Sequence, residues 1–173
     1  MLLTLWLGAA LFFSAVVAPA VFVVLRSFAL PNAGEIAGTI VTRTLSVVNI
    51  AGFLIGVFLL LTLFARRTPG RPAFIVEFFC LAIVVMATGL GHWLIAARMR
   101  ALRAAMVLPI DLVPVDDPRR IAFSSLHGYS VTALGLAMIA ALIAIVLIAI
   151  LLGAAMIGGV YLAKMDEPGK VGP

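Results

Sequence analysis

The chain has 173 residues, of which 65% are hydrophobic and only 11% are charged, and its mean hydropathy is +1.28. A water-soluble domain of this length has too small an interior to hide so many apolar side chains, so the composition excludes that class and indicates a membrane protein. The formal charge of +5 lies mainly in the connections, where Arg can meet anionic headgroups, so it predicts contact with membrane lipids and no nucleic-acid partner.

The long uncharged runs predict helices, because a helix satisfies its own backbone polar groups in lipid whereas barrel strands alternate polar and apolar residues. We therefore predict an all-α fold, a four-helix integral membrane bundle that forms a single transmembrane domain over residues 1–173. The predicted spans are 2–25, 44–65, 73–97 and 121–152, with an interfacial helix before the second span and a long fourth helix that extends to about 163.

The first span is predicted to be uncleaved, since no Lys or Arg precedes its apolar run as in a signal peptide. Trp6 is expected near a membrane interface, and Pro19 is expected to kink the helix. Asn32 and Glu35 have the spacing of a capping box at the start of the next helix. That helix carries Gly52 and Gly56, whose spacing predicts close packing against another helix.

The third span contains one acidic residue, Glu77, which we expect either to pair with Arg71 or another basic residue of that side, or to act as a protonatable relay. The connection that follows holds Pro109 and Pro114 and is expected to be largely extended. Asp117 before Pro118 is a typical N-cap and first-turn pair, so the fourth helix is predicted to begin there.

The fourth apolar run, from 121 to 163, contains no charged residue. As a helix it is about 65 Å long, roughly twice the hydrocarbon thickness of a bilayer. We expect this helix to overshoot the membrane, to bend, or both.

The distribution of basic residues predicts the orientation of the chain. The first and third connections share a side and carry seven of them, Arg26, Arg43, Arg98, Arg100, Arg103, Arg119 and Arg120, against Arg66, Arg67, Arg71, Lys164 and Lys170 on the other. By the positive-inside rule the first and third connections are cytoplasmic and both termini lie outside, in a bacterial inner membrane.

A few polar residues enter the apolar runs at similar depths. Asn49, His92 and His127 each lie six or seven residues from a flanking Arg, about 9 to 10 Å at helical rise. All enter from the side of the first and third connections, so a compact bundle can gather them into one polar pocket. Thr88, Ser124 and Ser130 are the candidate neighbours in that pocket.

Two interpretations of this polar layer stay open. Its residues either form interhelical hydrogen bonds that hold the bundle together, or His92 and His127 ligate a haem or a metal ion from facing helices, as bundle cofactor sites do. Two imidazoles are an incomplete zinc cage. Cys80 is the single cysteine, which excludes a Cys-based metal motif or an internal disulfide.

Several segments resemble one family in order and spacing. They are Trp6-Leu-Gly-Ala-Ala-Leu-Phe-Phe-Ser14, Ala18-Pro-Ala-Val-Phe22, Ala33-Gly-Glu-Ile-Ala-Gly38, His92-Trp-Leu and Arg120-Ile-Ala-Phe-Ser-Ser-Leu-His127-Gly-Tyr-Ser130. Together, over nearly the whole chain, they resemble the bacterial domain-of-unknown-function family related to eukaryotic transmembrane protein 205. The resemblance implies a four-span membrane protein.

The sequence shows no complete catalytic constellation, so we expect a non-enzymatic multi-pass membrane protein. The small residues and the overlong fourth helix favour a helical subunit that associates with itself or with a larger membrane complex. The alternative is a haem- or metal-binding membrane protein that uses His92 and His127 in a redox or metal-resistance role.

Overall fold

The structure, a computed structural model, describes residues 1–65 and 72–165, with side chains up to Tyr161 in the last helix. It contains four long helices, which we label α1 (Leu2–Ser27), α2 (Ala33–Ala65), α3 (Pro72–Ala105) and α4 (Pro118–Met165). Each is long and apolar enough to cross a membrane. The predicted all-α membrane bundle is therefore confirmed for the part of the chain that the structure describes. The turn expected at 66–71 and the residues after Met165 lie outside it.

The four helices pack in chain order, α1 against α2, α2 against α3 and α3 against α4, and α4 closes the ring by packing on α1. This is the arrangement of an up-and-down four-helix bundle. The bundle core consists of Leu3, Trp6, Leu7, Ala10, Leu63, Cys80, Leu81, Val84, Leu134, Ala137, Ala140, Ala141 and Ala144. The α4 contribution is mostly alanine, which lets its backbone approach the neighbouring helices closely.

Two of the helices contain a π-helical segment. In α1 it is Phe13–Val17, between the α-helical parts Leu2–Phe12 and Ala18–Ser27. Pro19 lies two residues after this segment, and because its ring clashes with the carbonyl four residues earlier, a widened turn at this point relieves the clash. In α3 the π segment is Leu90–Ile95, between Pro72–Gly89 and Ala96–Ala105.

The connection between α3 and α4 is compact, so the expectation of an extended segment was wrong. Its backbone makes two turns, in which Leu112 N–H bonds to the Pro109 carbonyl at 2.9 Å and Asp117 N–H bonds to the Pro114 carbonyl at 3.2 Å. Met106 and Val113, which are part of this connection, are buried. Each hydrogen bond closes a four-residue turn that begins at a proline, so the chain folds back at both points.

Asp117 caps α4 as predicted. Its carboxylate accepts a 2.8 Å hydrogen bond from the backbone N–H of Arg119, and the helix begins at Pro118. The Arg119 guanidinium also bonds to this carboxylate, and these hydrogen bonds hold the pKa of Asp117 below its usual value.

Candidate functional site

His92 lies in the π segment of α3, and its imidazole reaches across to α2. Gly89 and Gly91 remove side-chain crowding at this point, which favours a change from an α to a π turn. Ser46 Oγ lies 2.9 Å from His92 Nδ1, and the tautomer of the ring decides which of the two groups donates. Both side chains are half-buried. The bond therefore ties α2 to α3 inside the bundle.

Asn49 lies one turn further along α2 and packs directly onto α3. Its side chain is 4% exposed. A Cβ atom at Gly91 would lie 3.1 Å from Asn49 Nδ2, so the absence of a side chain at Gly91 makes room for the amide. Ser46, Asn49, Gly91 and His92 thus form one polar contact between α2 and α3.

Thr88 is buried one turn before His92. Its hydroxyl donates a 2.6 Å hydrogen bond to the Val84 carbonyl of its own helix. This bond satisfies the hydroxyl without a partner on another helix, which is the usual solution for Thr in a membrane span. Thr88 therefore lies near the polar contact without joining α2 to α3.

The α4 residues predicted for the same layer point in different directions. Ser130 is 7% exposed and faces the bundle. Ser124 and His127 are exposed on the outside of α4. The buried alanines of α4 set the rotation of the helix, and at 100° per residue they turn His127 away from the interior.

Haem or metal ligation by His92 and His127 stays a hypothesis. Nδ1 of His92 is taken up by Ser46, while His127 is exposed. No three His, Cys, Asp or Glu side chains of the described residues are grouped so that they could hold a metal ion. The visible spectrum of the purified protein tests the haem hypothesis, because a Soret band that disappears in His127→Ala would support it.

Glu77 is half-buried in the first half of α3, and its proposed partner Arg71 lies outside the described residues. Between Glu77 and the level of His92 the helix presents Leu81 and Val84 to the core, both essentially inaccessible. These apolar side chains separate the acid from the polar contact of Ser46 and His92.

Gly52 and Gly56 are buried on the same face of α2 as Asn49. A Cβ atom at Gly52 would lie 2.7 Å from the Trp6 indole, and one at Gly56 would lie 2.7 Å from Val85 Cγ2. Neighbouring side chains therefore occupy the space above both glycines.

Trp6, which we expected near a membrane interface, has its side chain buried inside the bundle. It is 3% exposed, and its Nε1 donates a 2.8 Å hydrogen bond to the Val48 carbonyl. The indole fits into the bundle because Gly52 leaves space for it. A buried Trp needs an acceptor for its N–H, and α2 supplies one.

A second polar cluster joins the first connection to the third. The sequence did not predict which of its residues pair with each other. Glu35 does not reach back to Asn32 as a capping box would, and instead forms a 2.5 Å ion pair with Arg103. The Gly34 N–H donates a 3.1 Å hydrogen bond to Asp111 Oδ2, across 77 positions of sequence. Asp111 thus accepts a free amide hydrogen of the first turn of α2, a position that favours a carboxylate.

Arginines hold the rest of this cluster through backbone carbonyls. Arg103 donates to the carbonyl of Leu108 at 3.0 Å, Arg119 donates to that of Ala105 at 2.8 Å, and Arg120 donates to that of Val113. Arg103 and Arg120 are half-buried, whereas Arg119 is exposed. The cluster therefore fixes the α3–α4 connection against the start of α2.

Residues 1–107 match a protein-family model described as Domain of unknown function (DUF4149). The match covers α1, α2, α3 and the first residues after them, and it ends before the Arg120–Ser130 segment. Neither the curated proteins nor the solved structures gave a match to this chain. The matched region contains Ser46, Asn49 and His92 as well as Trp6 and Gly52.

Proposed function

Since the chain belongs to the DUF4149 family and has four helices able to cross a membrane, we propose that it is a non-enzymatic membrane subunit. Its task is to bind other membrane-spanning helices, in a larger complex or in an oligomer of its own. The observation that carries this proposal is the length of α4 beyond the bundle. The polar contact of Ser46, Asn49 and His92 then serves to hold α2 and α3 in register.

The part of α4 that leaves the bundle is apolar on every side. Ala144 is its last fully buried residue, and we call residues 149–161 the C-terminal arm. The arm is about 20 Å long. Its exposed residues include Ile150, Leu152, Met156 and Val160, and no charged residue interrupts it. A helix that is hydrophobic all round is stable only when lipid or protein surrounds it.

Tilting does not place the whole apolar run in lipid. The run from 121 to 163 is about 65 Å long, and membrane helices tilt by at most about 40°, which leaves a reach of roughly 50 Å across the membrane. The hydrocarbon core is about 30 Å thick, and the whole bilayer about 40 to 45 Å. We therefore expect the apolar side chains of the arm to contact protein.

Native mass spectrometry after extraction in a mild detergent tests this proposal. We expect the chain in an assembly of two or more polypeptides. A matched variant that ends after Ile148 keeps the buried and half-buried residues with which α4 packs on the bundle, and it should lose most of that assembly. A full-length chain that is monomeric at all concentrations would contradict the proposal.

We further propose that the membrane is a bacterial inner membrane and that the first and third connections are cytoplasmic. The supporting observations are the seven Arg residues on that side and the ordered cluster of Glu35, Arg103 and Asp111 within it. Cysteine labelling from outside the cell tests the orientation. In a Cys80→Ala background, Val107→Cys should be labelled only after the membrane is permeabilised.

The relation to eukaryotic transmembrane protein 205 is a proposal that the Phe123-Ser-Ser-Leu-His127 segment supports. A measured structure of a eukaryotic relative tests it. We expect four spans, with the Leu-His pair in the first turns of the fourth. Another helix count, or the pair on another helix, would contradict the relation.

A further inference from the structure

The helix α4 carries two rows of residues on opposite faces, which we call the inner seam and the outer seam. The inner seam packs on the bundle and consists of Ser130, Leu134, Ala137, Ala141 and Ala144, at alternating spacings of about three and four residues. The outer seam has the same spacing and is offset by two residues, which at 100° per residue places it on the opposite side. It consists of Gly128, Thr132, Gly135, Ile139, Leu142, Val146, Ala149, Gly153, Met156 and Val160.

The outer seam is open in the isolated chain. Ile139, Leu142 and Val146 are exposed, and a Cβ atom at Gly128, Gly135 or Gly153 would meet nothing within 4 Å. Glycine inside a helix is destabilising relative to alanine. Helix interfaces in membranes contain small residues because they let two backbones approach. A helix face that contacts only lipid gains no such close approach from small residues.

The outer seam continues without a break into the C-terminal arm. The inner seam ends at Ala144, whereas the outer seam runs on to Val160. A partner on the outer seam therefore needs a helix that also extends beyond the bundle on the same side. A second copy of this chain, inserted in the same orientation, supplies one at the same depth.

We propose that the outer seam of α4 binds the same seam of a second copy, in a parallel, two-fold symmetric helix pair. This proposal rests on the proposed function and names the partner. Gly128, Gly135 and Gly153 distinguish this seam from the other exposed apolar faces of α4, and residues spaced by three and four positions meet along the contact line of a left-handed helix pair. The seam is about 50 Å long and a helix about 10 to 12 Å wide, so the pair buries roughly 1,000 Å² in total, the size that a specific interface needs.

Disulfide cross-linking tests the position of the interface. In a Cys80→Ala background, Val146→Cys lies at the centre of the outer seam, and Val47→Cys is the control, a valine on α2 that is even more exposed than Val146. In native membranes under mild oxidation, Val146→Cys should form a covalent dimer and Val47→Cys should not. Equal cross-linking of the two variants, or none at Val146→Cys, would overturn the proposal.

A second pair of variants tests the interface without new cysteines. Gly135→Leu places a bulky side chain on the outer seam, whereas Gly8→Leu does the same on α1, and both positions have open space around the Cβ atom. We expect Gly135→Leu to weaken dimerisation about tenfold or more and Gly8→Leu to leave it unchanged, as measured by dilution in lipid with fluorescently labelled chains.

The outcomes distinguish this proposal from the broader one. If Val146→Cys does not cross-link but the chain still migrates with other polypeptides, the second copy is wrong and the subunit role survives. If the chain is also monomeric in native mass spectrometry, both proposals fail. A cross-link at Val146→Cys together with the loss of dimer in Gly135→Leu supports both.

Discussion

The indole of Trp6 lies directly over Gly52, close enough that a Cβ atom there would approach Trp6 Cε2 to 2.7 Å. The same indole donates its N–H to the carbonyl of Val48, one turn earlier on α2. A ring held by packing on one side and by a hydrogen bond on the other cannot move aside easily. This contact fixes both the rotation and the height of α1 against α2.

Gly52→Ala should therefore destabilise the bundle, although alanine is the better helix former. We expect a loss of about 1 to 3 kcal/mol, because the added methyl group overpacks a filled interior. Thermal unfolding in detergent measures it. Gly8→Ala is the matched control, since its Cβ atom meets nothing within 4 Å, and it should be neutral or slightly stabilising. Equal stability of the two variants would contradict a rigid contact at Trp6.

Asp111→Ala should loosen the start of α2. The carboxylate of Asp111 accepts the Gly34 N–H, and removing such a cap is destabilising by about 1 kcal/mol. We expect faster hydrogen exchange of the amides at 34 to 36. Asp111→Asn should restore most of the protection, because an asparagine side chain also caps. Asp116 is exposed on the same connection, and Asp116→Ala should change nothing.

The positions of the helices were predictable because each apolar run ends at basic residues or prolines, and those ends are local features of the chain. Asp117 was predictable for the same reason, since a cap contacts its own helix. The Gly34–Asp111 bond and the Glu35–Arg103 pair join distant segments, and no local pattern selects such partners.

The rotation of a helix about its own axis was harder to predict. In an almost uniformly apolar sequence the hydrophobic pattern does not distinguish the lipid face from the protein face. Rotation then depends on which small residues a neighbour packs against. Because the alanines from Ala137 to Ala144 pack on the bundle, His127 faces outward. Because Gly52 leaves space on α2, the indole of Trp6 fits inside the bundle. The structure was needed to place both side chains.

Ser46→Ala should release the imidazole of His92. The hydrogen bond between them is half-buried, and its loss is expected to destabilise the protein by about 0.5 to 1.5 kcal/mol. Nitrogen NMR of labelled histidine should show a change at Nδ1 of His92 and none at His127. Ser125→Ala is the matched control, because the hydroxyl of Ser125 bonds only within α4, to the carbonyl of Ile121. An unchanged His92 signal in Ser46→Ala would rule out the bond.

The start of α4 should lose protection in acid. Hydrogen bonds from the Arg119 side chain and backbone lower the pKa of Asp117 from its usual 3.8. A carboxylate whose pKa is lower in the folded state stabilises that state above its unfolded pKa, and this contribution disappears as the pH falls through the lower, folded value. We therefore expect the protection factors of the Arg119 and Ile121 amides, which are corrected for the intrinsic exchange rates, to fall only below about pH 4. Asp117→Asn keeps a cap but does not titrate, so it should abolish this pH dependence. If Asp117→Asn shows the same transition, another group is responsible.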